Sequence, residues 1–163
     1  MIDCFLSLGS NMGNKLENIS NAIRFIELSP ESSFLSKSEI YESRAMYNTN
    51  LENFYNAVIK IKTDLSPMEL LAFVKDIEKQ MGRLKTGERY SERPIDIDIL
   101  SYGDKIIDSK ELIIPHPYIK ERKFVLKPWS DIDSNYILAR SNKKISDLLN
   151  ETSDNSKLLT IKK

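Results

Sequence analysis

Period-two alternation, two capped helical stripes and their order along the chain predict an α+β fold for this 163-residue sequence. Between Phe54 and Lys62, Tyr55, Ala57, Ile59 and Ile61 alternate with Phe54, Asn56, Val58 and two lysines, which is the pattern of a sheet strand. Leu16, Ile19, Ile23 and Ile26 recur at helical spacing, as do Leu70, Val74, Ile77 and Met81. With the strands around them, these segments read β-α-β-β-α-β. That is the order of a ferredoxin-like sheet with both helices on one face, here with a C-terminal hairpin and short helices added. The other face is expected to be free as a binding surface.

Each element has a local cause. Ile2 to Leu8 is a short apolar strand that ends at Gly9. Asn14 stands as the N-cap of the first helix with Glu17 as its capping-box partner, and Ser29-Pro30 closes it. Phe34 to Tyr41 reads as one strand and Phe54 to Lys62 as the next. The second helix has Ser66 as N-cap, Pro67 at the first helical position and Glu69 three residues after the cap, and Gly82 stops it. A basic loop then leads to Arg93-Pro94-Ile95-Asp96-Ile97-Asp98-Ile99-Leu100, the last strand of the core.

The length suits one domain over 1–163, in which 150–163 is polar enough for a loose tail around a short apolar patch at Leu158–Ile161. The 24 cationic and 24 anionic side chains cancel, so no global field invites nucleic acid or a membrane, and local asymmetry must carry any electrostatics. A single cysteine, Cys4, fits a reducing compartment, and no secretory signal or membrane-length apolar run is evident. A cytoplasmic monomer or small homo-oligomer is the expectation.

In the last core strand Asp96 and Asp98 share one face and Ile95, Ile97 and Ile99 the other, which puts two anions roughly 6.5–7 Å apart on a half-buried surface. Like charges so placed ask for a cation, and a pair of rigid carboxylates suits Mg²⁺. The competing reading is a solvated edge strand with salt bridges to lysines. Four cations precede the carboxylates in the loop Gly82 to Arg93, among them Arg83 and Lys85. Cations that reach polyphosphate oxygens beside carboxylates that hold Mg²⁺ are the two halves of a phosphoryl-transfer site, although a solvated surface loop has the same composition. Such a loop is expected to order over bound nucleotide.

His116, the only histidine, stands between Pro115 and Pro117, which fix its backbone. It is either a phosphate donor or a structural residue. Arg122-Lys123-Phe124 adds a cation beside an aromatic ring. Asn56, an amide in an apolar strand with Phe54 on the same face, suits a planar heterocycle or else a cross-strand hydrogen bond. Gly9 to Lys15 lacks Walker A spacing, cysteine and histidine clusters for zinc are absent, and no aromatic run of the RNA-recognition type is present.

Gly9-Ser10-Asn11, Phe54-Tyr55-Asn56-Ala57, Glu78 followed by Gly82-Arg83, Arg93-x-x-Asp96-Ile97-Asp98-Ile99, Pro115-His116-Pro117 and Arg122-x-Phe124-Val125-Leu126 occur in that order between about Leu6 and Trp129. Together they resemble the 6-hydroxymethyl-7,8-dihydropterin pyrophosphokinases of folate biosynthesis. The resemblance implies transfer of the β,γ-pyrophosphoryl group of ATP to the hydroxymethyl oxygen of the reduced pterin, with release of AMP. It implies two Mg²⁺ ions on Asp96 and Asp98, and Arg83, Lys85, Arg93, His116 and Arg122 around the triphosphate. It also implies pterin contacts from Asn56, Phe54, Phe124 and the segment that begins at Ser43, and a nucleotide end near Glu78, Ile99 and Ile113. The chain departs from the family pattern at Ser43-Arg44-Ala45-Met46, Lys85, Tyr90, Glu92 and Tyr118, none of which removes a metal ligand.

Overall fold

In the computed structural model, which describes residues 1–45, 50–82 and 92–162, strand β1 (Ile2–Ser10) is the axis of the sheet. It is flanked after α1 (Lys15–Glu27), β2 (Ser32–Lys37) and β3 (Ile40–Ser43) by β4 (Phe54–Thr63), and after α2 (Pro67–Gln80) by β5 (Asp96–Tyr102). The sheet runs β3-β4-β1-β5 with every pair antiparallel, the strand order of the predicted ferredoxin-like topology. Asn14 Oδ1 accepts the Glu17 N–H at 3.1 Å to start α1. At α2 the capping box closes in both directions, with Ser66 Oγ accepting from Glu69 N–H and Glu69 Oε2 accepting from Ser66 N–H.

Alternation along the strands makes two cores. On one face Cys4, Leu6 and Leu8 of β1, Ala57, Ile59 and Ile61 of β4, and Ile97 and Ile99 of β5 pack with Ile19, Ala22 and Ile26 of α1 and Leu70, Val74 and Ile77 of α2. Each fully buried leucine, isoleucine or valine side chain among them contributes about 1.5–3 kcal/mol of transfer free energy. On the other face Phe5, Val58 and Leu100 are covered by Val125, Leu126 and Trp129 of α3 (Lys123–Asp133) and by Ile145 and Leu148 of α4 (Ile145–Glu151). The second face is therefore free only in part. Its apolar end takes the C-terminal helices, and its polar end, where β1 carries Ser7 and Gly9, does not.

Two further expectations are corrected. The strand expected over Phe34–Tyr41 is two strands: β2 faces Ile59 to Thr63 and β3 faces Phe54 to Asn56 of the same β4. At the break, Ser38 bonds Val58 from both its N–H and its Oγ, which keeps β4 satisfied while the chain changes direction. The segment expected as a loose tail is tied down. Residues 150 and 151 complete α4, and β10 (Leu159–Ile161) pairs antiparallel with β3. Between β5 and α3 lie the short hairpin β6 (Ile107–Asp108) and β7 (Ile113–Ile114) and a 3-10 turn at Ile119–Glu121. A second short hairpin, β8 (Ile137–Leu138) and β9 (Lys143–Lys144), precedes α4. Among the described residues no helix is long and apolar enough to cross a membrane.

Candidate active site

The register of the sheet assembles a site at the uncovered end of the second face. Gly9 lies opposite Asn56 on one side and Asp96 on the other, and Ser7 lies between Val58 and Asp98. Residues directly opposite share a face, so Asn56 and Asp96 are about 10 Å apart across a strand that bears almost no side chain between them. The result is a trough floored by Gly9 and Ser7, with an amide along one wall and two carboxylates along the other. A Cβ at position 9 would lie 3.5 Å from Phe54 Cδ1 and 3.6 Å from Asn56 Oδ1, so Phe54 stands over the same floor.

On the amide side, Asn56 Nδ2 donates to Ser43 Oγ at 2.8 Å and to Tyr41 O at 3.2 Å. Those bonds set the amide's orientation and leave Oδ1, which has no donor among the described residues, as the atom offered to a ligand. The two sequence candidates Ser43 and Asn56 are thus brought into contact. Tyr41 itself donates its phenolic O–H to Asp131 of α3 at 2.6 Å, and burial together with that bond raises its pKa well above the usual phenol range. This fastens β3 to the helix that covers the neighbouring core.

On the carboxylate side, each aspartate faces an arginine. Arg93 Nη1 is 3.5 Å from Asp96 Oδ2, and Arg122 Nη1 is 4.0 Å from Asp98 Oδ2. Loss of water around Asp98, followed by the charge of Asp96, pushes its carboxyl up to about 7 against the opposing pull of Lys75 and Arg122. Among the described residues no third histidine, cysteine or carboxylate completes a cluster around the pair. Two carboxylates alone fit Mg²⁺, which fills the rest of its octahedron with water and phosphate oxygens.

Arg93 is only 8% exposed, because Asn11 clamps the chain there: Asn11 Oδ1 accepts the Arg93 N–H at 2.7 Å and Asn11 N–H donates to Arg93 O at 3.2 Å. Its guanidinium is turned to Asp96. Glu78, expected at the nucleotide end, is 3% exposed. Its Oε2 accepts the N–H of Ile97 at 2.7 Å, between the two aspartates, and its Oε1 meets Lys75 Nζ at 3.2 Å.

His116 follows a cis Ile114–Pro115 peptide and donates its N–H to Leu100 O at the outer edge of β5. Its Nδ1 accepts the Tyr118 N–H at 3.2 Å, which assigns the remaining proton to Nε2. Burial, then the Arg122 charge, lowers its pKa to about 4 against the pull of Asp96. At neutral pH the ring is therefore an uncharged donor through Nε2–H. The guanidinium of Arg122 lies between the rings of Tyr118 and Phe124, 5.2 and 5.6 Å from their centroids. Phe124, which packs against the second core, is thereby also committed to Arg122. Ile99 points into the helix-side core, so only its backbone is available at the strand, whereas Ile113 is exposed on the β6–β7 hairpin. Arg83 and Lys85 lie outside the described residues.

Sequence reasoning gave no role to Ser7 or Gly9, although Gly9 stood in a noted block. Their use appears only when the register of β1 against two partners is known. The Asn11 clamp on Arg93 spans 82 positions, and the only local signal for it is the Gly-Ser-Asn after the first strand.

Residues 5–134 match the family model described as 7,8-dihydro-6-hydroxymethylpterin-pyrophosphokinase (HPPK). The chain belongs to this family. The pyrophosphokinase match runs through every described residue of the trough and ends within the turn that follows α3. Among curated relatives, the 2-amino-4-hydroxy-6-hydroxymethyldihydropteridine pyrophosphokinase of Aquifex aeolicus is 42% identical over 137 residues, which are 84% of each chain. The Folic acid synthesis protein FOL1 of Dictyostelium discoideum is 46% identical over 133 residues, 82% of this chain and 20% of that protein. This chain thus spans about a fifth of the length of that larger relative. Its fold matches the HPPK-DHPS of Plasmodium falciparum, crystallised with pteroate, at a TM-score of 0.73 and 18% identity over 92% of this chain and 42% of that one.

Proposed function

We propose that this chain transfers the β,γ-pyrophosphoryl group of ATP to the hydroxymethyl group of 6-hydroxymethyl-7,8-dihydropterin, releasing AMP, and that the reaction depends on Mg²⁺. The observation that carries the reading is the trough itself: the Asn56 amide and the Asp96 and Asp98 carboxylates lie two strands apart over the small residues Ser7 and Gly9.

Asn56 Oδ1 accepts from the pterin edge, and Phe54 and Phe124 confine the ring faces. Asp96 and Asp98 would hold two Mg²⁺ ions. When bound, these neutralise the triphosphate and lower the pKa of the attacking hydroxyl. Arg122, fixed between two aromatic rings, and His116, through Nε2–H, donate to phosphate oxygens as charge redistributes. Arg93 steadies Asp96 and contributes positive charge at the same end, and Arg83 and Lys85 belong to the same set by family resemblance. The hydroxymethyl oxygen gives up its proton to solvent water and forms a bond to Pβ, the bond between Pβ and the oxygen bridging to Pα breaks, and AMP leaves with that oxygen.

His116 does not serve as the base, since Nδ1 is occupied and Nε2 carries the proton. Glu78 acts from beneath the site by holding β5. The lone buried thiol of Cys4 is consistent with a cytoplasmic setting.

The direct test is turnover of the purified chain with ATP, Mg²⁺ and the hydroxymethyldihydropterin, followed by separation of AMP and the pterin pyrophosphate. Stoichiometric appearance of both is expected, with loss of at least a hundredfold in Asp96→Ala. No AMP from the wild-type protein, or an unaltered rate in Asp96→Ala, would refute the proposal.

A further inference from the structure

We infer that the C-terminal segment 152–161 is a brace that positions Arg122, with Asp154 as the positioning residue, an inference that rests on the pyrophosphokinase reading. Arg122 is the N-cap residue of α3, with φ −124° and ψ 92°, and its own side chain, turned toward Asp98, makes no cap bond. The cap comes from 31 residues away, where Asp154 Oδ2 accepts the Lys123 N–H at 2.9 Å. That bond satisfies one of the donors left open at a helix start and fixes the angle at which the chain enters α3, and therefore the direction in which Arg122 leaves it.

The brace is itself held. Ser156 donates from Oγ and from N–H to Asp154 Oδ1, at 2.6 and 3.0 Å. Thr152 Oγ donates to Lys120 O at 2.6 Å, and Lys123 Nζ reaches Ser156 O at 3.1 Å. Burial acts to raise the Asp154 carboxyl, but the Ser156 hydroxyl and the Lys123 and Ser156 N–H groups hold it below the usual carboxylate range. A few residues on, β10 pairs Leu159, Thr160 and Ile161 with Glu42, Tyr41 and Ile40 of β3. The same strand carries Ser43, the partner of Asn56. One segment thus ties the turn before Arg122 to the strand behind Asn56, the two walls of the trough. It lies wholly outside the 5–134 stretch that matches the family model.

Small displacements of a positioned cation cost catalysis far more than they cost stability. The test compares Asp154→Ala, Asp154→Asn and Arg122→Ala with the double variant Asp154→Ala/Arg122→Ala, by kcat and KM for ATP and for the pterin, with the melting temperature and the NMR resonance of the Arg122 Nε–H followed alongside. Asn caps helices about as well as Asp. Asp154→Ala is expected to lower kcat about tenfold with the pterin KM within about twofold, Asp154→Asn to restore it, and Asp154→Ala to cost less than about twofold in the Arg122→Ala background. An equal loss in both backgrounds, or a lower melting temperature with wild-type kcat, overturns the brace, as does failure of Asn to rescue. If Asp154→Ala does not fold, Asp154→Asn compared with Thr152→Val takes its place, and unchanged kcat in Thr152→Val overturns the inference. Wild-type protein that releases no AMP ends the pyrophosphokinase reading alone. The Nε–H resonance then decides the brace, which is supported if Asp154→Ala displaces it and overturned if it does not.

Discussion

Removing the Glu78 carboxylate separates a strand-holding role from a nucleotide-binding one. β5 is the edge of the sheet on the catalytic side, since it pairs only with β1, and the N–H of Ile97 points away from that partner to Glu78 Oε2 at 2.7 Å. A buried N–H left without an acceptor costs about 1–3 kcal/mol, and a hydrogen bond to a charged group sits in the upper part of that range. The Lys75 pair adds little, because Lys75 is half exposed and surface pairs contribute from about zero to 1 kcal/mol. Against these stand recovery of the carboxylate's desolvation and relief of its repulsion with Asp98. The balance for Glu78→Ala is about 2 kcal/mol of destabilisation.

For a chain of this length 1 kcal/mol moves the melting temperature by about 2–4 °C. Glu78→Ala is therefore expected to melt about 4–8 °C lower. Glu78→Gln keeps an oxygen acceptor in the same place and is expected to lose less than about 1 kcal/mol. Circular-dichroism melts give the stabilities, and calorimetric titration with Mg²⁺ and ATP gives binding. Equal losses of stability in the two variants would refute the strand-holding role, as would none in Glu78→Ala. Loss of ATP binding in Glu78→Gln at wild-type stability would restore Glu78 to the nucleotide.

Gly9→Ala should fold, because its new Cβ meets Phe54 and Asn56 at ordinary contact distance, yet raise the pterin KM about tenfold with the ATP KM unchanged. Steady-state kinetics decide this, and an unaltered pterin KM would remove Gly9 from the floor of the site. His116 takes its proton only near pH 4 in the folded chain but near 6.5 when unfolded, so the unfolded state binds more protons between those values and stability falls as pH drops through that window. After allowance for the ring's partial exposure the loss is about 2 kcal/mol, and His116→Gln should flatten it; urea midpoints at several pH values that fall equally in both proteins would contradict the buried neutral imidazole.

The helices and the core strand order were legible because their causes are local. Ser66, Pro67 and Glu69 mark the start of α2 by themselves, and the spacing of Leu70, Val74 and Ile77 shows its buried face. Asp96 and Asp98 were legible for the same reason: strand alternation puts them on one face whatever lies opposite. The split of the Phe34–Tyr41 segment was not, since it depends on Ser38 bonding to Val58 from a distance of 20 positions. Nor was the anchoring of 152–161, whose polar composition matches that of a free tail while Thr152 and Asp154 bond to Lys120 and Lys123, 32 and 31 positions away. The roles of Ser7 and Gly9 lie in register, and register between β1, β4 and β5 is a tertiary property.

On the proposed function, the neutral composition of the chain and the anionic nature of a nucleotide would be reconciled at the trough. Two carboxylates there face two guanidiniums, at separations of 3.5 and 4.0 Å that exceed those of tight charge-assisted bonds. Divalent cations arriving with a triphosphate bring nearly cancelling charges of their own, so the site needs no net field to take them. The proposed reaction would need partners that can be exchanged, aspartate from arginine to metal and arginine from aspartate to phosphate. Such an exchange is efficient only if none of the four groups has to move far or be dehydrated anew, because reorganisation would then consume the interaction energy. The geometry meets that condition by indirect means. Asn11 holds the backbone of Arg93, the Ile97 N–H between the aspartates is held by Glu78, and Tyr118 and Phe124 confine Arg122. On the proposed reading, the exchange would therefore rest on supporting residues that hold the four charged groups in place from outside the trough.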